Sequence, residues 1–258
     1  MIETLIIKNV KKTFKLSKKQ QRIDKTTDKE KIAVNGLSFT AYEGEVYGLL
    51  GSNGAGKTTT LRMISTLIKP DEGDIIVSGI SSKEDPTEIR RRIGFLTSEL
   101  KLEEFFTPNY MFNFYSDLYQ VPLEVREERK KHLFDKFEIH KFAEVKIGDL
   151  STGMKQKISL AISLVNDPKI IIFDEPTNGL DVLTAKDVTD LIIELKNKGY
   201  TIILSTHIFS LVEKVCDRVG IIIDGKMALE GKISELTKEK NIESIFFDEY
   251  AKAKGRTI

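Results

Sequence analysis

Long apolar runs with little alternation mark the buried strands of this chain of 258 residues. Three of them lie at 45–50 (EVYGLL), 169–175 (KIIIFDE) and 200–206 (YTIILST). Strands of a parallel sheet are buried on both faces and have this continuous apolar character. The helices that separate them are predicted at 57–68, 151–166 and 182–198. Strands that alternate with helices predict an α/β fold with a parallel sheet.

Two segments near the N-terminus, 3–10 and 32–40, combine β-branched residues with partial alternation and predict strands of an antiparallel β subdomain. The stretch between them is basic, with ten basic and three acidic residues from Lys8 to Lys31. Residues 11–31 are predicted to form a solvated loop or a long hairpin. A contact with anionic lipid is an alternative that rests on charge alone.

The middle of the chain has a different pattern. The segment 99–149 contains no glycine before Gly148 and is predicted to be mostly helical. We expect it to belong to a helical subdomain of about 99–166 that is inserted in the α/β core. The core with its insertion predicts a single domain at 1–235, followed by a short charged C-terminal extension at 236–258.

Composition restricts the possible partners. Forty basic and 39 acidic residues leave a net charge of +1, so bulk charge gives no indication of nucleic acid. The single cysteine, Cys216, excludes an internal disulfide framework and fits a reducing cytoplasm. No apolar run approaches the roughly 18 residues of a membrane span, and the N-terminus has no apolar core of a signal peptide. A separate protein would have to supply any membrane-spanning part.

A glycine-rich segment at 51–58, GSNGAGKT, follows one predicted strand and opens a predicted helix. It fits the pattern G-x-x-x-x-G-K-[ST], in which backbone N–H groups turn toward the phosphates of a nucleotide. Lys57 can reach the terminal phosphates, and the hydroxyl of Thr58 can bind Mg²⁺. The residues predicted to bind ATP here are Gly51, Ser52, Asn53, Gly54, Ala55, Gly56, Lys57, Thr58 and Thr59.

Two adjacent acids, Asp174 and Glu175, end another apolar strand. Because adjacent side chains point to opposite sides of a strand, the two carboxylates can act differently. Asp174 is predicted to hold the Mg²⁺ shell and Glu175 to orient an attacking water, as phosphoryl transfer to water requires. Acids at a strand end can also be a solvated terminus, but the phosphate loop in the same chain favours the catalytic interpretation.

The segment 150–181 resembles one family closely. It is similar to the nucleotide-binding subunit of ABC transporters, in which a signature LSGGQ precedes a helix, an acidic strand end and a loop that ends in aspartate. Here Leu150–Met154 (LSTGM) fill the signature, and Ser151 is also a good helix N-cap. Asp174 follows Ser151 by 23 residues, with NGLD at 178–181. The resemblance covers nearly the whole chain and implies a P-loop nucleotide-binding core.

The resemblance also implies roles for individual residues. Phe14 stands where the family places an aromatic ring on adenine, although it could instead be a core residue of a strand. Ser151 and Gly153 match the signature atoms that contact the γ-phosphate. His207 matches the switch histidine, which contacts the same phosphate, and Asp181 matches the aspartate that communicates between two sites.

Two positions depart from the family pattern. Thr152 and Met154 replace a glycine and a glutamine of the signature, but the serine hydroxyl and the Gly153 N–H remain, so we expect the signature to function. Ser98 stands where the family has a glutamine that helps bind Mg²⁺ and responds to the membrane partner. Whether Ser98 acts through water or Glu99 takes its place stays open at this point.

For the assembly, the resemblance implies two subunits that sandwich two ATP molecules and Mg²⁺ head to tail. A homodimer is the simplest arrangement, because the chain holds one complete set of motifs. A separate transmembrane permease would carry the substrate. The chain would lie at the cytoplasmic face of the cell membrane and touch it only through that permease. The pattern resembles bacterial exporters of sodium ions or antibiotics.

Aromatic residues are concentrated where the family docks a short helix of the transmembrane subunit. Of the 21 aromatic residues, 14 Phe and 7 Tyr, seven lie within 105–119. Some of them can form the small core of the helical subdomain, but aromatic enrichment is also typical of interfaces. We predict that some of the rings line a surface groove. The seven are Phe105, Phe106, Tyr110, Phe112, Phe114, Tyr115 and Tyr119.

Other functions have weaker support in the sequence. An ABC-type ATPase of DNA repair needs a long coiled coil between the phosphate loop and the signature, and no heptad series separates Lys57 from Ser151. The translation ATPases of the family typically carry two such cassettes in one chain. A P-loop kinase or GTPase would have neither the signature nor the switch histidine.

Overall fold

The computed structural model describes residues 2–23, 25–97 and 102–255. The strands in these ranges are β1 (Glu3–Lys15), β2 (Glu30–Tyr42), β3 (Val46–Leu50), β4 (Glu72–Val77), β5 (Ile80–Ser81), β6 (Ile93–Thr97), β7 (Ile170–Asp174), β8 (Thr201–Thr206), β9 (Arg218–Ile223) and β10 (Lys226–Lys232). The α-helices are α1 (Lys18–Ile23), α2 (Lys57–Ile64), α3 (Pro86–Arg92), α4 (Pro108–Leu118), α5 (Leu123–Lys136), α6 (Thr152–Ser163), α7 (Val182–Asn197), α8 (Phe209–Val215), α9 (Ile233–Leu236) and α10 (Ile242–Lys254).

The larger sheet has the strand order β10-β9-β3-β8-β7-β6. Its inner pairs are parallel, and β10 returns antiparallel along β9. Alternate residues of β7 belong to two hydrophobic clusters, with Ile171 and Phe173 in one and Ile170 and Ile172 in the other. Both faces of the strand are therefore buried, which explains the unbroken apolar runs and confirms the predicted parallel sheet.

The edge of this sheet at the carboxyl ends of its strands positions the predicted site. The phosphate loop follows β3, Asp174 ends β7, and His207 comes directly after β8. Since parallel strands end at one common edge, three segments far apart in the sequence meet there. This convergence is the structural basis for the site described below.

The smaller sheet is antiparallel, in the order β2-β1-β4-β5. β1 pairs with β2 from Glu3 opposite Tyr42 to Lys15 opposite Glu30, so the strands extend well beyond the predicted 3–10 and 32–40. Two of the basic residues of the hairpin pair with acids on the β4 side. Lys11 lies 3.0 Å from Glu72 and Lys12 lies 2.7 Å from Asp71. The described part of 11–31 is thus a long hairpin with α1 near its apex.

The helices α4, α5 and α6 occupy the segment predicted to be helical between β6 and β7, together with the short 3₁₀ helices Ile139–Phe142 and Ile147–Asp149. Their packing centres on aromatic rings: Phe112 of α4 meets Phe134 of α5 edge to face, with centroids 5.5 Å apart. The α/β core with an antiparallel sheet and an inserted helical portion is the fold class that the sequence predicts.

The C-terminal residues are more ordered than the sequence analysis anticipates. Within the segment described there as a charged extension, α10 buries Ile242, Phe246 and Ala251. Ile242 and Phe246 are four residues apart, so they share one face of the helix. The charged residues elsewhere on α10, such as Glu243, Asp248 and Glu249, hide this apolar stripe from a composition argument.

The one cysteine is a core residue. Cys216 is 7% exposed, and a Cβ placed on Gly48 would approach its Sγ to 2.7 Å. Burial raises the pKa of the Cys216 thiol. The residue is accordingly a small hydrophobic group in the folded protein.

We expect Cys216 to be nearly inert toward thiol reagents in the native protein. Labelling should require unfolding and run on the order of 10³-fold slower than in denaturant, because the unfolded fraction of a stable domain is small. A time course with a chromogenic disulfide reagent, with and without urea, measures this directly. Since the chain contains one cysteine, rapid native labelling would contradict the buried position.

Candidate active site

The phosphate loop between β3 and α2 has a backbone that side chains would disrupt. Gly54 and Gly56 have φ angles of 83° and 107°, which favour glycine. A Cβ on Gly56 would lie 2.4 Å from the carbonyl oxygen of Ala33. Gly56 also occupies the N-cap of α2 without a side-chain hydrogen bond, so the first N–H groups of the helix are available to an anion.

Lys57 is buried at the centre of this loop, with 5% of its surface exposed. Its Nζ donates to the Gly51 carbonyl at 2.7 Å and lies 3.1 Å from Oε1 of Glu175. A buried ammonium group requires such a partner, because desolvation of an unpaired charge is unfavourable. Glu175 therefore serves as the counter-ion of Lys57 in this structure.

Asp174 is the buried acid at the end of β7, 4% exposed. Its Oδ1 accepts hydrogen bonds from the hydroxyls of Thr58 at 3.0 Å and Ser205 at 2.6 Å. The hydroxyl and carboxylate oxygens of Thr58 and Asp174 are the kind of ligands that Mg²⁺ prefers. In the described ranges no group of three or more His, Cys, Asp or Glu could hold a metal. The donor set fits Mg²⁺ that takes its remaining ligands from phosphate and water.

Glu175 is held in an unusual backbone conformation. Its φ is 51°, in the left-handed region, and its N–H lies 3.1 Å from the carbonyl oxygen and 3.2 Å from the hydroxyl oxygen of Ser205. This conformation is uncommon for a residue with a Cβ and is found preferentially at functional sites. Oε2 of Glu175 lies 2.9 Å from Nδ1 of His207. Glu175 thus bridges Lys57 and His207.

A hollow of about 310 Å³ is lined by residues of the phosphate loop and by Phe14. Phe14 is 40% exposed on β1, which rules out the alternative that it is a core residue of the strand. Lys31 lies opposite it on β2 and lines the same hollow. An exposed ring and a phosphate loop in one hollow suit a nucleotide with its base on Phe14.

The signature lies elsewhere on the chain. Ser151 caps α6, its Oγ accepting from the N–H of Met154 at 3.3 Å. Asp181 caps α7 and accepts from the hydroxyl of Thr184 at 2.7 Å, a hydrogen bond that lowers the pKa of this carboxyl. Ser151, Gly153, Asp181 and Thr184 line a second hollow of about 630 Å³. Among the residues that the structure describes, the two hollows have no lining residue in common.

The structure therefore brings together one group of predicted residues and leaves another apart. The first hollow is lined by the phosphate loop, Phe14 and Glu175, and its lining residues are contacted by Asp174 and His207. The second hollow is lined by the signature residues and Asp181. β6 ends at Thr97 opposite Asp174. Ser98, which stands at the position of the missing glutamine, and Glu99, the alternative to it, lie outside the described residues.

Sequence reasoning missed three residues of these sites. Ser205 contacts both acids, and it could have been found because it lies two residues before His207 on the strand beside β7. Thr184 lies 3.0 Å from a Cβ built on Gly153, a contact between two helix starts that no local pattern reveals. Lys31 follows only from the register of the β1–β2 hairpin.

These features define a P-loop nucleotide-binding protein: a glycine-rich loop between strand and helix, a buried lysine, and an acid that is hydrogen-bonded to the loop threonine. Comparison with known proteins narrows this class. The sequence model described as "ABC transporter" matches residues 34–178. The chain belongs to the ABC transporter family of ATP-binding, ATP-hydrolysing subunits.

Several relatives are similar over most of the chain. ABC transporter ATP-binding protein NatA of Bacillus subtilis is 37% identical over 84% of this chain and 90% of its own length. Nod factor export ATP-binding protein I of Burkholderia lata is 37% identical over 78% of this chain and 66% of its own. Linearmycin resistance ATP-binding protein LnrL of Bacillus subtilis is 33% identical over 80% and 67%.

Solved structures give the same result for the fold. An ATP-binding subunit of an ABC transporter superposes with a TM-score of 0.82 at 25% identity, covering 96% of this chain and 99% of its own. A dimeric ATP-binding cassette in a post-hydrolysis state with ADP and Pi has a TM-score of 0.77 at 28% identity, with 88% and 98% coverage.

We expect Ser205→Ala to weaken Mg-ATP binding by roughly 5- to 20-fold, because it removes a hydrogen bond to a buried charged group. Titration with a fluorescent nucleotide at fixed Mg²⁺ measures the effect. Ser116→Ala is the matched control, since Ser116 is equally buried and donates to a backbone carbonyl within α4. Equal affinity for S205A and S116A would contradict the role given to Ser205.

Proposed function

We propose that this chain is the ATPase motor of an exporter and that two copies close head to tail around two ATP molecules. The observation that carries the proposal is the separation of the two hollows. The phosphate loop lies in one and the signature in the other, so a single copy offers only half of the contacts to each nucleotide. A two-fold arrangement joins unlike halves twice and forms two complete sites.

Within such a site, the residues of the first hollow would bind and orient ATP. Phe14 would stack on adenine, the N–H groups of the loop and Lys57 would hold the phosphates, and Thr58 and Asp174 would hold Mg²⁺. The metal would neutralise charge on the phosphates. Ser151 and Gly153 of the second copy would contact the γ-phosphate, and Asp181 would link the two sites.

Glu175 and His207 would carry the hydrolytic step. Binding of the γ-phosphate gives Lys57 a new anionic partner, which frees Glu175 from its ion pair. The carboxylate can then accept a hydrogen bond from a water in line with the γ-phosphate and orient it for attack. His207, 2.9 Å from Glu175, would contact the γ-phosphate. Loss of that phosphate removes contacts from both copies, and the pair opens.

We expect Glu175→Gln to bind ATP, to hydrolyse it roughly 10²- to 10⁴-fold more slowly, and to accumulate as a dimer, because the amide keeps the shape but not the basicity of the carboxylate. Steady-state phosphate release and gel filtration with ATP test both parts. Hydrolysis near the wild-type rate, or a monomer in saturating ATP, would refute the assignment.

The permease would dock on a groove next to the helical segment. The groove is lined by Leu67, Arg90, Phe95, Tyr115 and Tyr119, among others. Two of the seven aromatic rings, Tyr115 and Tyr119, line this groove, while Phe112 is buried. An apolar helix of a partner suits it, since Leu67 is 57% and Tyr119 37% exposed.

A row of stacked rings extends this surface along α4. Phe106 and Tyr110 are 4.3 Å apart between centroids, and Tyr110 and Phe114 are 6.4 Å apart. Tyr110 and Phe114 are four residues apart and therefore share one face of α4, and Phe106 lies just before the start of that helix. Phe114 also contacts Tyr115 of the groove at 5.6 Å, so groove and row are continuous.

We expect Leu67→Asp to reduce co-purification with a co-expressed transmembrane permease by on the order of tenfold, because it places a charge in an apolar contact. ATPase activity of the isolated chain should not change. Leu123→Asp is the control, since Leu123 is 61% exposed and does not line the groove. Equal recovery of both variants would contradict docking at the groove.

Names of relatives support an exporter. Among the relatives described above, one is named for Nod factor export and another for linearmycin resistance. Together with the resemblance to bacterial exporters of sodium ions or antibiotics, these names suggest that the cargo would be a sodium ion or a drug-like molecule. The chain would lie at the cytoplasmic face of the membrane through its permease. None of the helices in the described ranges has the length and apolar character needed to cross a membrane. A role in translation or DNA repair has no feature here that favours it.

A further inference from the structure

Helix α10 lies outside every nucleotide-binding motif of the chain, yet it contacts two elements of the site. It is a well-formed helix: Asn241 caps its start by accepting from the N–H of Ser244 at 2.9 Å, and Gly255 ends it in the left-handed conformation. Defined ends fix where its side chains lie along the neighbouring elements. Its position is therefore a feature of the fold.

The first contact of α10 is with the start of α8. Phe209 opens α8 two residues after His207. The ring of Phe246, 7% exposed, lies 5.4 Å from that of Phe209, and the ring of Phe247 lies 6.1 Å from it. Three aromatic rings thus meet at the start of α8, two residues after His207.

The second contact lies one helical turn further along α8. The N–H of Ile242 donates to Oε1 of Glu213 at 2.8 Å. Phe209 and Glu213 are four residues apart and share a helix face. Because α10 holds α8 at two points of that face, it restricts both rotation and sliding of α8.

The third contact is made by the other end of α10. Nζ of Lys254 lies 2.6 Å from Oδ2 of Asp224, in the turn between β9 and β10. The next residue, Gly225, donates its N–H to the carbonyl of Ala55 in the phosphate loop at 3.0 Å. One helix thereby connects the switch segment with the turn that supports the phosphate loop.

We propose that α10 is a positioning element of the ATPase: Phe246, acting through Phe209, holds His207 in register with Glu175. The His207 side chain is 42% exposed, so packing on the ring itself does little to fix it. Its place is set by the backbone that enters α8. The buried residues Leu211, Val212 and Val215 anchor one face of α8 in the core, and α10 holds the face that carries Phe209 and Glu213. A small displacement of a group that contacts reacting atoms is sufficient to slow catalysis.

The proposal rests on the role given above to His207 and concerns the rate of hydrolysis rather than nucleotide binding. Two variants of the full chain loosen α8 in different ways. Phe246→Leu removes a ring but keeps an apolar side chain, and Glu213→Ala removes an exposed acceptor. Tyr250→Leu is the matched control, because Tyr250 lies on α10 and contacts Phe246 at 6.1 Å without being paired with Phe209.

Steady-state ATPase assays on protein shown to be folded by its melting temperature should separate kcat from KM. We expect F246L and E213A to lower kcat by on the order of tenfold, with KM for ATP within about two-fold of wild type. Y250L should keep the wild-type kcat. A lowered melting temperature with unchanged kcat in F246L and E213A, or an equal loss in Y250L, would overturn the proposal.

A double-mutant cycle tests the route through Phe209. If Phe246 acts through that ring, F246L should have no further effect on kcat in a Phe209→Leu background, whereas independent effects would multiply. His207→Ala separates the two proposals. Full activity of H207A would overturn the role of His207, whereas loss in H207A with wild-type rates in F246L and E213A would overturn only that of α10.

Discussion

The ion pair of Lys57 with Glu175 is the interaction around which the phosphate-binding half of the site is organised. The loop places an ammonium group in a buried position, and the group must be neutralised there. Glu175, His207 and the Ser205 contacts are arranged so that a carboxylate reaches it from a different strand. In the proposed mechanism, the same arrangement would keep Glu175 paired until a phosphate arrives, so the site would be stable without nucleotide and reactive with it.

Much of this half could be predicted from the sequence because its signals are local. The glycine pattern, the lysine and the two acids lie within short segments, and buried parallel strands leave unbroken apolar runs. The antiparallel hairpin was predicted too short, since alternation is lost where Lys11 and Lys12 take part in the ladder. Their partners, Glu72 and Asp71, are about sixty positions away in the sequence, and no local pattern shows such pairs.

Contacts between elements account for what the sequence could not show. Ser205 contacts Asp174 and Glu175 because β8 is adjacent to β7. Thr184 lies beside Gly153 because the starts of α6 and α7 are close. The C-terminal helix is the largest example. Its charge indicates a solvated extension, but Ile242 and Phe246 make a stripe that becomes meaningful only against α8. The charged residues of such a helix indicate its exposed face, but composition does not reveal which residues form the buried face.

The separation of signature and phosphate loop within one chain has a genetic consequence. In a closed pair of copies, a defect at Ser151 would be felt by the nucleotide on the other copy, not by its own. Consider two variants that are each inactive as a homodimer, one with a substitution at Lys57 and the other with a substitution at Ser151. Their heterodimer would contain one intact site and one site with both defects. Partial activity of a heterodimer formed from two inactive variants is therefore the expected property of a site that both chains share.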